Sequence, residues 1–356
     1  MKFNKRLALF FLAILAVAVA AGACAPQHQA GDDDGTTPND DDNDNDDVSP
    51  GDDDDNDDLV WSEANGQFPG MRSVWGTSHG DVFAVGPNYG APAGTPAILH
   101  FDGNSWSQMK SGNDQLSALW AVAGTSPSEV FAVGGNAILN YDGASWSVIQ
   151  ASVNLGFLQA VWAWSASDVY VAGYGLDLDG AVGHFDRVRW SVVNGEFPDF
   201  LLTVWGTSPS DVFVGGNGGI SHFDGSNWSL MPIVNGNENS FASIWGTSPS
   251  DVFAVGGGND GGVIFHYDGS SWSGMGGALI AGLSGVWGSS SSDVFAVGGN
   301  DGGVIFHYDG SSWTPMDTRS IADLYSVWGS APSDVFAVGY DYNSGAGVIL
   351  HFGPPQ

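Results

Sequence analysis

Histidine recurs at one place in this chain: His100, His184, His222, His266, His307 and His351, with Asn140 standing in once. Acids recur ahead of it, at Asp81, Glu129, Asp168, Asp211, Asp251, Asp293 and Asp334. Imidazole and carboxylate are common ligands of divalent metals, so the first question is whether these copies can converge on one ion. The answer depends on the elements that carry them. Each histidine sits in an apolar run such as "VIFHYDGSSW", and in four of these six copies, as in that of Asn140, an Asp-Gly turn closes it. Each acid opens a run such as "DVFAVGG", which alternates and ends on glycines. A shared site among equivalent copies is therefore a question about strands.

The strands belong to a repeat. "VWGTSHGDVFAVG" from Val74 returns from Val204, Ile244, Val286 and Val327, and in looser form from Leu119 and Val161. Seven tryptophans head these copies: Trp75, Trp120, Trp162, Trp205, Trp245, Trp287 and Trp328. A second tryptophan follows the turn in six copies, at Trp106, Trp146, Trp190, Trp228, Trp272 and Trp313, with Asp-Arg in place of Asp-Gly ahead of Trp190. The seventh copy ends in "VILHFGPPQ" before its own, and the missing member is Trp61, placed first in the chain. Four short strands in a unit of about 42 residues, repeated, predict β-propeller blades. Seven such blades make an all-β fold over 59–356, closed by the N-terminal strand pairing into the last blade. The arrangement "VFAVGG … HYDGSSW" resembles kelch-type propellers, and its Asp-Gly turn before tryptophan is similar to Asp-box and photosystem-assembly propellers. It departs from the spacing of each, and the Gly-His and Trp-Asp pairs of WD-repeats are missing.

On that fold the histidines lie two strands out from the innermost one. Neighbouring copies then sit roughly 13 Å apart, far beyond metal–ligand bonds of about 2 Å. Equivalent histidines and acids are expected to bond within their own blades, and neither a metal site nor a cofactor is predicted. Function is sought where the repeat breaks. The loops between the second and third strands vary, and they carry Tyr89, Tyr174, Asp177, Asp179, Tyr340, Asp341 and Tyr342. Aromatic rings beside carboxylates suit a protein or carbohydrate ligand. On the opposite, uniform face, Trp164 replaces a threonine, and Arg187 and Arg189 interrupt a turn, a second candidate for a cation–π cluster.

Composition narrows the partners. Eight Lys and Arg against 40 Asp and Glu leave a formal charge of −32, so nucleic acid is not an expected partner. Lys2, Lys5 and Arg6 precede an apolar run ending in "AGAC", which reads as a secretory signal over 1–23. The single cysteine, Cys24, resembles the acylated cysteine of the bacterial lipoprotein lipobox, with Ala21 where that family usually has leucine. The resemblance implies a lipid-anchored protein of the cell envelope, on the outer membrane. Residues 24–58 hold 15 aspartates and predict a disordered tether, roughly 30 Å across as a coil and about 115 Å extended. It lacks the spaced loop of a defined calcium site. The expected whole is a monomeric tethered binding module. The alternatives are a structural envelope component without a ligand, or a propeller glycosidase. No catalytic constellation marks it as an enzyme.

Overall fold

The computed structural model describes residues 59–354 except 88–95, 112–117, 150–153, 187, 234–238, 259–260, 277–280, 301 and 319. The expected signal segment, Cys24 and the aspartate tether lie outside the described residues, as do Tyr89 and Arg187.

The chain opens with β1 (Val60–Glu63) and then builds six antiparallel blades in sequence order. Blade one is β2 (Ser73–Ser78), β3 (Asp81–Pro87), β4 (Pro96–Phe101) and β5 (Trp106–Gln108). Blade two is β6 (Ala121–Ser126), β7 (Glu129–Gly134), β8 (Ala137–Tyr141) and β9 (Trp146–Ile149). Blade three is β10 (Phe157–Ser165), β11 (Asp168–Tyr174), β12 (Gly180–Phe185) and β13 (Trp190–Val193). Blade four is β14 (Asp199–Ser208), β15 (Asp211–Asn217), β16 (Gly219–Phe223) and β17 (Trp228–Leu230). Blade five is β18 (Ser240–Ser248), β19 (Asp251–Gly258), β20 (Gly261–Tyr267) and β21 (Trp272–Gly274). Blade six is β22 (Leu283–Ser290), β23 (Asp293–Gly299), β24 (Gly303–Tyr308) and β25 (Trp313–Met316). Blade seven is β26 (Asp323–Ala331), β27 (Asp334–Asp341) and β28 (Ala346–Gly353), with β1 as its outer strand. A single pairing, Asn217 to Ser240, joins blades four and five at their edges.

The first strands of neighbouring blades pack on one another all the way round, β2 on β6 through to β26 on β2. The molecule is a closed seven-bladed β-propeller. Its apolar interior is divided among the seams: each buried cluster takes residues from two adjacent blades, as Phe83, Val85 and Ile98 of blade one meet Val130, Leu139 and Trp146 of blade two. A single blade has no core of its own, so burial requires its neighbours.

Closure follows the expected route. Trp61 stands opposite Phe352 in the β1–β28 register and touches Phe295 of blade six, ring centroids 6.2 Å apart. Beyond β1, Ala64 donates its N–H to Ile349 O at 2.9 Å, and Gly347 donates to Phe68 O at 2.8 Å. Residues 60–68 thus stitch blade seven before the chain enters blade one.

One part of the tryptophan pattern is different. Trp75 faces Phe83, and the β6–β7 register puts Ala123, not Trp120, opposite the equivalent Phe131. Trp120 lies three residues earlier, ahead of β6, because the three extra residues of that copy displace it. The displacement explains a second irregularity. At six seams the indole of one first strand lies against a glycine of the next: Trp75 on Gly124, Trp162 on Gly206, Trp205 on Gly246, Trp245 on Gly288, Trp287 on Gly329 and Trp328 on Gly76. A Cβ at any of these glycines would come within 3.0 Å of the indole or of a backbone oxygen. At the seam where blade two offers Ala123 in place of an indole, blade three carries Ala163 in place of glycine.

Candidate functional site

Antiparallel blades send the loops between first and second strands, and between third and fourth, to one face; the other connections emerge on the opposite face. On the second of these faces the start of each first strand borders the axis. Arg72, just before β2, lies there with its guanidinium carbon 3.8 Å from the Tyr325 ring centroid and 5.4 Å from that of Trp120. The contact spans blades seven, one and two, and a planar cation over an aromatic face is favoured where water is partly excluded. Tyr325 and Tyr342 hold their hydroxyls 2.8 Å apart, and Tyr340 meets Tyr342 edge to face at 4.9 Å. Burial pushes the Tyr325 phenol well above its ordinary range, and the bond to Tyr342 adds to this while the Arg72 charge opposes it. Tyr325 therefore stays a neutral donor or acceptor at physiological pH. Tyr342 is 63 % exposed, so the cluster is open to solvent.

The predicted residues of this face divide into two groups. Tyr340, Asp341 and Tyr342 join the Arg72 cluster. Asp341 shapes its loop: its carboxylate accepts from the N–H of Asn343 at 2.8 Å and of Ser344 at 3.3 Å, and bonds from Ser344 and Asn343 hold it below the usual carboxylate range. Tyr174 belongs to another patch, stacked on Phe157 at 5.5 Å and set against Phe200 at 4.7 Å. The Asp179 carbonyl accepts from Gly175 N–H at 3.0 Å, and the Asp177 carboxylate leans over Gly175, so both acids belong to one tight turn. Leu178 and Phe200, both at positive φ, meet through a 3.2 Å backbone bond beside this turn. Arg72, Trp120 and Tyr325 were not singled out from the sequence. Two signals pointed to them: the lone cation of the segment leading into β2, and the tryptophan whose copy runs three residues long.

On the uniform face the recurring chemistry is local. His100, His184, His222, His266 and His307 each bring Nε2 within 2.6–2.8 Å of the acid in their own blade. Each of those rings also packs on the aromatic residue two positions beyond its acid, as His222 does on Phe213 at 4.2 Å. In blade two Asn140 donates to Glu129 at 3.0 Å; burial raises the Glu129 carboxyl, and this bond opposes the rise. Blade seven has an added partner: Asp334 receives His351 Nε2 and also His79 Nδ1, each at 2.7 Å. Burial would raise the Asp334 carboxyl, yet bonds from His351, Ser330 and His79 hold it at about 2.

Trp164 is 52 % exposed and lies against Trp162 at 6.2 Å. Arg189 donates its backbone N–H to Asp186 at 2.9 Å, as Val188 does at 3.0 Å. The aspartate chemistry of that turn therefore persists, and what blade three lacks is the glycine, which has φ near +90° in five other blades. Among the described residues, which leave out Arg187, the cation–π contacts are those of Arg72. A groove of about 540 Å³ between blades three and four, lined by Tyr170, His184, Glu196 and Trp228, shares no residue with the Arg72 cluster.

The indoles of the outer strands differ in their hydrogen bonding. Trp272 donates to Met231 Sδ at 3.3 Å, while the buried Nε1 atoms of Trp61, Trp146, Trp190 and Trp313 have no hydrogen-bond partner among the described residues.

No protein-family model and no curated protein matches the chain. Solved structures do. YCF48 from Cyanidioschyzon merolae is similar at 16 % identity and a TM-score of 0.62, over 83 % of this chain and all of that one. YCF48 bound to D1 peptide is similar at 17 % identity and a TM-score of 0.62, over 83 % of this chain and 97 % of that one. The WD40 β-propeller domain of Doa1 is similar at 12 % identity and a TM-score of 0.64, over 82 % and 96 % of the two chains. At such identities the likeness concerns the fold, while the kelch-type resemblance rests on the motif alone.

Proposed function

We propose that this chain is a lipid-anchored propeller of the bacterial envelope that binds a protein segment at the channel mouth formed by Arg72, Trp120, Tyr325, Tyr340 and Tyr342. The observation that carries the reading is the cluster spanning three blades: a cation between two aromatic rings, joined to an exposed tyrosine pair. Tyrosine and arginine supply large contact area and directional bonds, and they are enriched where proteins bind one another. A structural neighbour of the same fold has been solved with a peptide bound, which makes a protein segment the first ligand class to test. The Tyr325 phenol, kept neutral by burial, can donate or accept a hydrogen bond with a bound segment. Acylated Cys24, a tether over 24–58 and a monomeric propeller complete the reading.

The test is a displayed random peptide library panned against the full chain, with a carbohydrate panel run beside it. Peptides that bind the wild type and lose tenfold or more with Tyr342→Ala and with Tyr340→Ala, at unchanged Tm, support the proposal. Peptides indifferent to both variants, or a ligand found only among the sugars, would overturn it. Trp164→Ala serves as the control on the other face.

A further inference from the structure

We propose that His79, Asp334 and His351 form a binding site for one zinc-class divalent ion at the seam between blades one and seven. The equivalent histidines are too far apart to share an ion, but His79 is not one of them. It occupies the turn between β2 and β3, where the other blades have Pro127, Ala166, Pro209, Pro249, Ser291 and Pro332. From there it reaches across the seam to an acid that already holds its own blade's histidine. His79 Nδ1 and His351 Nε2 each lie 2.7 Å from Asp334 Oδ1, and one ligand atom from each residue falls within 4.8 Å of the others.

The set fits the ion. Two imidazoles and a carboxylate are a common three-ligand set for zinc, leaving a fourth position open. With metal–ligand bonds of about 2.0–2.2 Å, the edges of a tetrahedron measure roughly 3.3 Å. The 2.7 Å contacts would therefore need to open by only about half an ångström. In the metal-free seam each ring nitrogen donates an N–H to the ionised carboxylate. With the ion between them, the same nitrogens present lone pairs and the ring proton moves to the other nitrogen.

The surroundings are those of a supported site. Ser330 Oγ donates to Asp334 Oδ2 and orients the carboxylate from behind. The His79 ring meets Phe101 edge-on at 5.6 Å and Phe336 at 6.0 Å, and His351 packs on Phe336 at 4.6 Å. Aromatic walls of this kind hold imidazoles in place and lower the local dielectric. Asp334 and His351 are largely buried, whereas the His79 side chain is 48 % exposed and offers a route in. Because β1 and β28 close the ring in this same blade, a bound ion would fasten the closing blade to the first one.

The full chain also carries His28 and 15 tether aspartates, so the test must separate weak carboxylate binding from this site. Co²⁺ serves as the spectroscopic probe, since a four-coordinate nitrogen-containing site absorbs strongly in the visible, while hydrated carboxylate complexes do so weakly. The wild type is expected to take one equivalent of Co²⁺ with the strong bands, to lose them to Zn²⁺, and to gain several degrees of Tm with Zn²⁺. His79→Ser, which installs the residue blade six has at this position, should abolish the bands and the Tm gain while leaving the metal-free Tm close to wild type. His307→Asn, in a blade with one histidine, should leave the bands unchanged. Equal bands and Tm gain in His79→Ser, or no strong bands in the wild type, would overturn the assignment.

Discussion

Each turn between the third and fourth strands is held by one carboxylate. Asp268 accepts from the N–H groups of Ser270 and Ser271, each at 2.8 Å, and Asp309 does the same for Ser311 and Ser312. Serine hydroxyls add a third bond, and together these hold both acids at about 2. Asp102, Asp142, Asp186 and Asp224 are lowered by the equivalent backbone bonds. A carboxylate whose folded pKa is depressed stabilises the fold above its unfolded value of 3.8 and loses that contribution as the pH falls through the folded value. Six blades contribute in the same direction. We expect Tm to fall between about pH 4 and pH 2, and Asp268→Asn to weaken this dependence. Calorimetry across that interval checks it; a flat profile would remove these turns as the cause. The recurrence of these residues was plain in the sequence, as was their local role. The meeting of Arg72 with Tyr325 was not, since 253 positions separate them and only ring closure joins them.

At the scale of the strand, the indole-on-glycine contacts set which blades can be neighbours. In Gly329→Ala the new Cβ would lie 2.6 Å from the Trp287 ring and 2.7 Å from Asp334 O. Overpacking of this kind costs about 1–3 kcal/mol, so its urea midpoint should drop accordingly. The alanine seam offers a reciprocal test. Ala123→Trp alone should destabilise, because Ala163 occupies the space that glycine leaves open elsewhere; adding Ala163→Gly should recover much of the loss. Contacting residues of this kind couple by roughly 0.5–3 kcal/mol in a double-mutant cycle. Additive losses would mean that the two alanines are unrelated. The repeat could be counted from the sequence, but the register in blade two could not: Ala123, not Trp120, stands opposite Phe131, and an insertion in a strand does not reveal which residue keeps the register.

For the whole ring, β1 is the fastener. Trp61 is 4 % exposed and packs into the seam with Phe295, Phe352 and Leu350. Trp61→Ala should therefore cost about 3–5 kcal/mol. Deleting residues 59–63 should lower Tm far more than deleting the aspartate run at 31–58; equal Tm values for the two deletions would contradict closure by this strand. The proposed anchor makes a separate prediction: Cys24→Ser should move the protein from the membrane to the soluble fraction. Retention in the membrane would place the anchor elsewhere.

The sequence by itself determined the blade, the number of blades and the strand that shuts the ring. These follow from local alternation, turn chemistry and a period that repeats in every unit. It also showed that equivalent histidines cannot meet, because symmetry keeps them a blade apart. Only the tertiary structure decided which irregular residues meet across seams. Arg72 with Trp120 and Tyr325, and His79 with Asp334 and His351, each combine a departure from the repeat with a neighbour distant in the chain. A period describes what the units have in common. Contacts across seams depend on how closure brings the first blade against the last.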